Sequence, residues 1–311
     1  MFTITNHINK NVQKLIVTIC FPLFFMVFIK FTLISESIIS KSSLQPNINT
    51  FTNPKSSDDI RILIGILTMP EKHQRRHDLR MIYRDQIQQQ GSSNKIDIKF
   101  VFCNLTNEEQ NVLVSLEIMS YNDIIILNCK ENLNEGKTYT YFSSLPTMFN
   151  SKNDRYPPYH YVMKTDDDTY IRVDNLVTSI RPLPREDLYY GYVIPDPTLD
   201  PFTHYMSGMG YLVSWDVVEW IGKSDIPKTH IKGPEDKVFG EWLRRGNRAK
   251  NRFSVMWSMY NYPDPPTRYG HELWPNTIAV HNLKTQERLI RTLQYFNVTK
   301  NLKPSKLYHI P

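Results

Sequence analysis

The chain has 311 residues, 41% of them hydrophobic and 22% charged, with three cysteines, a formal net charge of +6 and a pI near 9.0. This composition excludes disorder, a collagen-like repeat and a disulfide-stapled miniprotein, and a mean hydropathy of -0.42 excludes a multi-pass membrane protein. The positive surplus is uneven: Met1–Ser57 holds five Lys against one Glu, leaving 32 basic and 30 acidic residues elsewhere, which argues against a nucleic-acid partner.

In chain order, a polar lead over residues 1–14 precedes an apolar run from Leu15 to Ile34, interrupted by Lys30. A span needs about 20 apolar residues, so this run crosses a membrane if Lys30 snorkels to the headgroups. A signal anchor with Lys10 and Lys14 on the cytoplasmic side is the expectation; a cleaved signal peptide competes, but no small-x-small cleavage site follows. Residues 35–57 are rich in Ser, Asn, Thr and Pro without periodicity, as in a stem. The expected organisation is thus a tail at 1–14, an anchor at 15–34, a luminal stem at 35–57 and one globular domain at 58–311. Sequons at Asn104 and Asn297 suit a luminal domain. Cys103 and Cys129 each end an apolar run, compatible with a disulfide between neighbouring strand ends or with two buried thiols.

From Asp58 onward strands and helices alternate. RILIGILT predicts a strand, HQRRHDLRMIYRDQIQQQ a helix with Leu79, Ile82, Tyr83 and Ile87 on one face, and KIDIKFVFC a second strand. Thr106 to Glu109 resembles a capping box opening a helix whose apolar residues are Val112, Leu113, Leu116 and Met119. DIIILN, GKTYTYFSSLPTMF and YHYVMKTD continue as strand, helix and strand. Such alternation predicts an α/β fold with a mostly parallel central sheet and helices on both faces, ligands binding beyond the strand carboxyl ends. There is no GxGxxG, no Walker motif and no internal repeat.

At the end of the fourth strand stands Lys164-Thr165-Asp166-Asp167-Asp168. Adjacent carboxylates repel one another, so a hard divalent ion shared with substrate phosphates is the chemical reading; a solvated acidic turn is the plain one.

Five motifs in order resemble the β-1,3-galactosyltransferase and Fringe family of glycosyltransferases. Arg75-Arg76 with Arg80 resembles its arginine motif, KTDDDTYI its KxDDDxFV, HYMSGMGYLVS its YxxGxGYxxS, GPEDKVFG its EDVxxG and AVHNLKTQERL its tail. The resemblance implies a GT-A (Rossmann-like) nucleotide-sugar transferase fold and a Mn²⁺ ion held by Asp168 and His281 with help from Asp166. It implies Asp236 as catalytic base and a nucleotide-sugar site from Arg76, Arg80, Lys137, Lys164, Asp166, Asp167, Gly208, Gly210 and Glu235. Each has a plainer alternative: helix-face cations for the Arg and Lys residues, a turn for the glycines, a strand-end His for His281. Pro234 as first residue of the helix EDKVFGEWLRR would place Glu235 and Asp236 in its first turn. Trp274 and Tyr269 are candidates for stacking an acceptor sugar, with core aromatics as the alternative.

Ile82-Tyr83 replaces the usual Thr-Trp, Lys237 stands in place of a common Val, and the segment 131–138 is not the common animal form, which suggests divergent pockets and a fungal-type branch. The resemblance implies a Golgi type II, inverting enzyme moving galactose from UDP-galactose to a glycan hydroxyl in β-1,3 linkage. UDP-N-acetylglucosamine is the alternative donor. A weakly active glycan-binding protein and a phosphoesterase are the competing classes, the latter lacking ligands for a second metal.

Overall fold

The computed structural model describes residues 59–91, 94–150, 156–196, 198–255 and 257–307. The expected anchor and stem lie outside them, and no helix among the described residues is long and apolar enough to cross a membrane.

Strand β1 (Arg61–Leu67) is buried from Ile62 onward, as a strand covered on both faces must be. Helix α1 (His73–Gln88) leads to β2 (Lys95–Cys103), parallel to β1; α2 (Glu108–Tyr121) leads to β3 (Ile124–Leu127), parallel to β2. Helix α3 (Lys137–Phe149) then returns the chain to β4 (Tyr161–Asp166), parallel to β1 on its other side. Gly136, with φ of 99°, supplies the left-handed residue that opens α3. The predicted elements up to β4 are therefore present within two or three residues.

After β4 come β5 (Tyr170–Ile171), α4 (Val173–Ile180), β6 (Leu188–Ile194) and β7 (Tyr205–Ser214). They are followed by α5 (Trp215–Lys223), α6 (Asp225–Thr229), α7 (Glu235–Arg245) and β8 (Asn251–Ser254), then β9 (Met259–Asn261), β10 (Ala279–His281) and α8 (Gln286–Tyr295). The large sheet has the order β3-β2-β1-β4-β7-β6-β8, with β7 alone antiparallel to its neighbours. A small sheet has the order β5-β10-β9, with β9 parallel to β10.

Side chains alternate along β1 and so build two cores. Ile62, Ile64 and Ile66 pack with Leu79 and Ile82 of α1 and Leu176 and Ile180 of α4. Leu63 and Leu67 pack on the other face with Phe142 and Leu145 of α3, Val217 of α5 and Phe239 of α7. Helices on both faces of a mostly parallel sheet are the expected architecture.

Three local expectations are corrected. Asn107, not Thr106, caps α2, its side chain accepting from Gln110 N, while the Gln110 side chain accepts from Thr106 N. Of the apolar residues expected to face the core from α2, Val112, Leu116 and Met119 are exposed, and the helix buries Val114 instead. Pro234 is the residue before α7, one position earlier than expected, although Glu235 and Asp236 do fall in its first turn. Cys103 and Cys129 are joined in a disulfide that staples the end of β2 to the chain just past β3.

Candidate active site

Because β7 alone runs against its neighbours, the other strands of the large sheet end on one edge. Strand order reverses between β1 and β4, and there a cleft of about 590 Å³ opens, its lining including Thr68, Lys72, Asn134, Asp166, Asp168 and Lys284.

The acidic triplet divides by direction. Asp166 ends β4 and Asp168 lies in the turn that follows, closed by Thr169 N–H donating to the Asp166 carbonyl at 3.2 Å, and both side chains turn to His281 at the end of β10. His281 Nε2 is 3.2 Å from Asp168 Oδ1 and 3.9 Å from Asp166 Oδ2, and one ligand atom from each of the three residues lies within 4.8 Å of the others. Two carboxylate oxygens and an imidazole nitrogen at this spacing fit a divalent cation. Burial alone would raise the Asp168 carboxyl, but His281, Lys284 and Arg75 outweigh it and hold its pKa below the usual range.

Asp167 points the other way. It is buried, accepts from Thr68 Oγ1 at 2.7 Å and pairs with Lys72 Nζ at 2.9 Å, so it ties the triplet to β1 while forming part of the cleft wall. Arg75 Nε donates to the Asp167 carbonyl at 2.6 Å and its Nη2 to the Leu283 carbonyl at 3.1 Å, which clamps the triplet to the segment after β10.

On the other side of Asp166 lies a second group. Lys164 is fully buried, with Nζ 2.8 Å from Asp166 Oδ1, 2.7 Å from the Gly208 carbonyl and 3.2 Å from Glu235 Oε1. Tyr211 donates to the same Glu235 oxygen at 2.7 Å. Burial by itself would lower the Lys164 pKa, and the Asp166 and Glu235 charges reverse that and raise it. Glu235 is raised, chiefly by burial with Lys164 opposing. The Gly208 amide N–H donates to Asp236 Oδ2 at 3.2 Å. One buried ammonium thus spans the cation corner and the peptide that holds Asp236, and Asp236 stands half-buried at the start of α7.

Several expected donor contacts are displaced by this geometry. Lys164 and Glu235 are buried against each other, without a face toward the cleft. Arg76 is fully buried: Nε and Nη2 grip Glu117 at 2.9 and 2.6 Å, and the remaining donors reach the Met69 and Pro70 carbonyls. Arg80 pairs with Glu117 and Asp123 at 2.7 and 2.8 Å and lies over the Phe100 and Tyr121 rings. Both arginines therefore fasten α2 to α1, since α2 has almost no apolar face of its own to bury. Lys137 reaches the cleft wall, but its Nζ is committed to the Thr68 carbonyl and to Glu131. A Cβ on Gly208 would lie 3.0 Å from Glu235 Oε2, so that position needs glycine for the buried network. Gly210 faces Met163 and Met259, a core position rather than a sugar contact. Ile82 and Tyr83, the altered end of the arginine motif, are buried in the core away from the donor cleft, and the Tyr83 hydroxyl accepts from Ile171 N. The segment from Glu131 to Asn134 does line the cleft, so divergence there bears on the pocket.

The two candidate aromatic residues both stand by the small sheet. Met259 packs toward Gly210, and Tyr260, next in the strand, faces the opposite way with Trp274 N donating to its hydroxyl. Tyr269 is half-buried against the core that includes Met259, and its carbonyl accepts from Asn261 N.

Lys72 and Lys284, both exposed and both lining the cleft, were missed by sequence reasoning. The available signal was position: Lys72 follows β1, and Lys284 stands three residues after His281 in the tail motif. Tyr211 was also missed, although it lies within the HYMSGMGYLVS motif.

A mostly parallel α/β sheet with a cation corner and a carboxylate beyond its strand ends suits a group-transfer enzyme, and the chain is a glycosyltransferase. Residues 74–199 match the family model described as Galactosyltransferase, and the chain is a relative of the β-1,3-galactosyltransferases. The Schizosaccharomyces pombe β-1,3-galactosyltransferase pvg3 is 22% identical over 285 residues, 76% of this chain and 74% of the yeast protein. Mus musculus β-1,3-galactosyltransferase 1 is 32% identical over 130 residues, 33% of this chain and 39% of the mouse protein. Among solved structures, the galactosyltransferase LgtC with donor and acceptor sugar analogues aligns at a TM-score of 0.43 and 10% identity, covering 78% of this chain and 97% of that one. A mannosyltransferase from Pyrobaculum calidifontis with GDP-mannose and Mn²⁺ aligns at 0.40 and 13% identity, covering 79% and 65%.

Proposed function

We propose that the protein is an inverting, Mn²⁺-dependent galactosyltransferase that moves galactose from UDP-galactose to a glycan hydroxyl in β-1,3 linkage. The observation that carries this is the convergence of Asp166, Asp168 and His281 on one side of Lys164, with Asp236 held on the other. The imidazole in the ligand set favours Mn²⁺ over Mg²⁺. When bound, the cation supplies Lewis-acid neutralisation of the leaving diphosphate. Lys284 adds a point charge at the cleft for the same phosphates, beside Lys72, whose charge is shared with Asp167.

Asp236 takes the proton of the acceptor hydroxyl as that oxygen forms a bond to the anomeric carbon. The bond from that carbon to the diphosphate breaks, and its electron pair leaves with UDP. One carboxylate suffices because no glycosyl-enzyme forms, so the anomeric configuration inverts. Lys164 and Glu235 hold the geometry.

The names of the yeast and mouse relatives support galactose as the sugar and β-1,3 as the linkage. The disulfide supports an oxidising compartment, and with the apolar run at 15–34 it supports a Golgi type II anchor. Asn104 and Asn297 are both exposed, as acceptors of N-glycans must be. No observation favours a binding protein without turnover, since the altered arginine motif lies in the core.

The test is transfer by the full-length chain with Mn²⁺, a glycan panel and UDP-galactose or UDP-N-acetylglucosamine. A β-linked galactosyl product, lost in Asp236→Asn, is expected. Retention of configuration, or activity unaffected by Asp236→Asn, would sink the proposal.

A further inference from the structure

His281 can serve as a ligand only if the nitrogen facing Asp166 and Asp168 carries a lone pair. In neutral imidazole one nitrogen bears the proton and the other is the acceptor, and the partner of the first decides which is which. Here Nε2 faces the carboxylates and Nδ1 lies 2.7 Å from Asn261 Oδ1. A carboxamide oxygen only accepts, so a proton belongs on Nδ1; with a cation in the corner the lone pair of Nε2 is then turned to it, whereas without one Nε2 is placed to carry a second proton toward Asp168.

We propose that Asn261 is the positioning residue of the cation site, fixing both the tautomer and the ring orientation of His281. This rests on the reading of Asp166, Asp168 and His281 as a cation site. The placement is built into the sheet. Asn261 and His281 are direct partners across the parallel strands β9 and β10. The Asn261 amide N–H donates to the Tyr269 carbonyl at 2.8 Å, and the next residue, Tyr262, donates its amide N–H to the His281 carbonyl at 2.8 Å. Met259, two residues earlier on the same side of the strand, packs beside Gly210 of β7, which fixes the strand against the large sheet. The backbone that carries Asn261 therefore cannot move away from His281 without unpairing β9. A donor partner at Nδ1 would put the proton on Nε2 and aim it at the cation, abolishing that ligand. Nothing in the five motifs marks Asn261, because its link to His281 is made across strands and not along the chain.

The test measures Mn²⁺ affinity of the full-length chain from the free-ion electron paramagnetic resonance signal, with and without UDP. Asn261→Leu, close in size but unable to accept, should weaken Mn²⁺ binding by about 10–100-fold. Asn261→Asp, which keeps an acceptor in place, should remain within a few-fold of wild type. Nitrogen-15 shifts of His281 in the metal-free wild type should report a protonated Nδ1, a readout independent of any variant's folding. Wild type failing to bind Mn²⁺, or His281→Ala binding as wild type does, overturns the cation site and this inference with it. Binding that is lost in His281→Ala but unchanged in Asn261→Leu, or an unprotonated Nδ1 in wild type, overturns the role of Asn261 alone.

Discussion

The α1 arginine cluster and the corner at the end of β4 are both dense in charge, yet they are built on opposite plans. At Arg76 and Arg80 every guanidinium nitrogen meets an acceptor: Glu117, Asp123 and two main-chain carbonyls take the contacts, and aromatic rings lie against the groups. At Asp166, Asp168 and His281 ligand atoms converge on one point from two sheets. A closed set of charges fastens elements together, whereas a convergent set of acceptors awaits a cation. The difference predicts that substitutions in one region change stability and in the other change chemistry.

The sharpest break of that contrast is Asp168→Asn, expected to lower transfer on the order of 10²–10³-fold with little change in the thermal midpoint. A wild-type rate in that variant would mean the corner is not where the leaving group is stabilised. Arg76→Met should do the reverse. Glu117 keeps Arg80, so losing the buried Arg76 contacts to Glu117 and to the Met69 and Pro70 carbonyls costs about 1–3 kcal/mol, read by chemical denaturation, while turnover per folded molecule stays at the wild-type level. A raised donor KM in Arg76→Met, with stability intact, would return Arg76 to the donor site. The disulfide belongs with the fastening region: Cys103→Ala with Cys129→Ala removes a cross-link closing 26 residues of chain and should cost about 2–4 kcal/mol, again without changing KM.

The same contrast explains what the sequence made legible. The strands β1 to β4 and their helices follow from period and punctuation, because each is long, apolar on the right faces and bounded by turn residues. The exposed face of α2 was not legible, since Val112, Leu116 and Met119 carry the pattern of a buried face; what holds α2 is ionic, and helical period registers only apolar residues. The chemistry of Asp166, Asp168 and His281 was recognisable because a triplet of acids at a strand end is costly and a motif match supplied the distant His. Arg76, Arg80 and Lys137 were misplaced for the converse reason. A cation near a phosphate site and a cation locked in a buried ion pair look alike in one dimension, and only the partner, Glu117 or Glu131, tells them apart.

Lys284 tests whether exposure marks the working cations. It lines the cleft and acts on Asp168 through its charge, whereas Arg76 and Arg80 are sequestered. Lys284→Met should raise the KM for UDP-galactose by about 10-fold, the scale of one charge-assisted contact, and leave turnover at saturation nearly unchanged. An equal loss in kcat and kcat/KM, with KM unchanged, would place its contact in the transition state alone.

The smallest expected effect lies in the pH dependence of the fastening region. Burial would raise the Glu117 pKa, but hydrogen bonds and charge from Arg76 and Arg80 outweigh it and hold the folded-state value below the ordinary 4.5. A carboxyl depressed on folding contributes its full stabilisation above the unfolded value, and loses it as pH falls through that value toward the folded one, because the unfolded chain then binds the proton first. The wild type should therefore lose stability steadily below about pH 4.5, and Glu117→Gln, though less stable at neutrality, should show a shallower acid slope. If the two slopes coincide, the arginine cluster is held by packing on Phe100, Phe102 and Tyr121 more than by charge, and the contrast between the two regions becomes one of burial rather than of electrostatic closure.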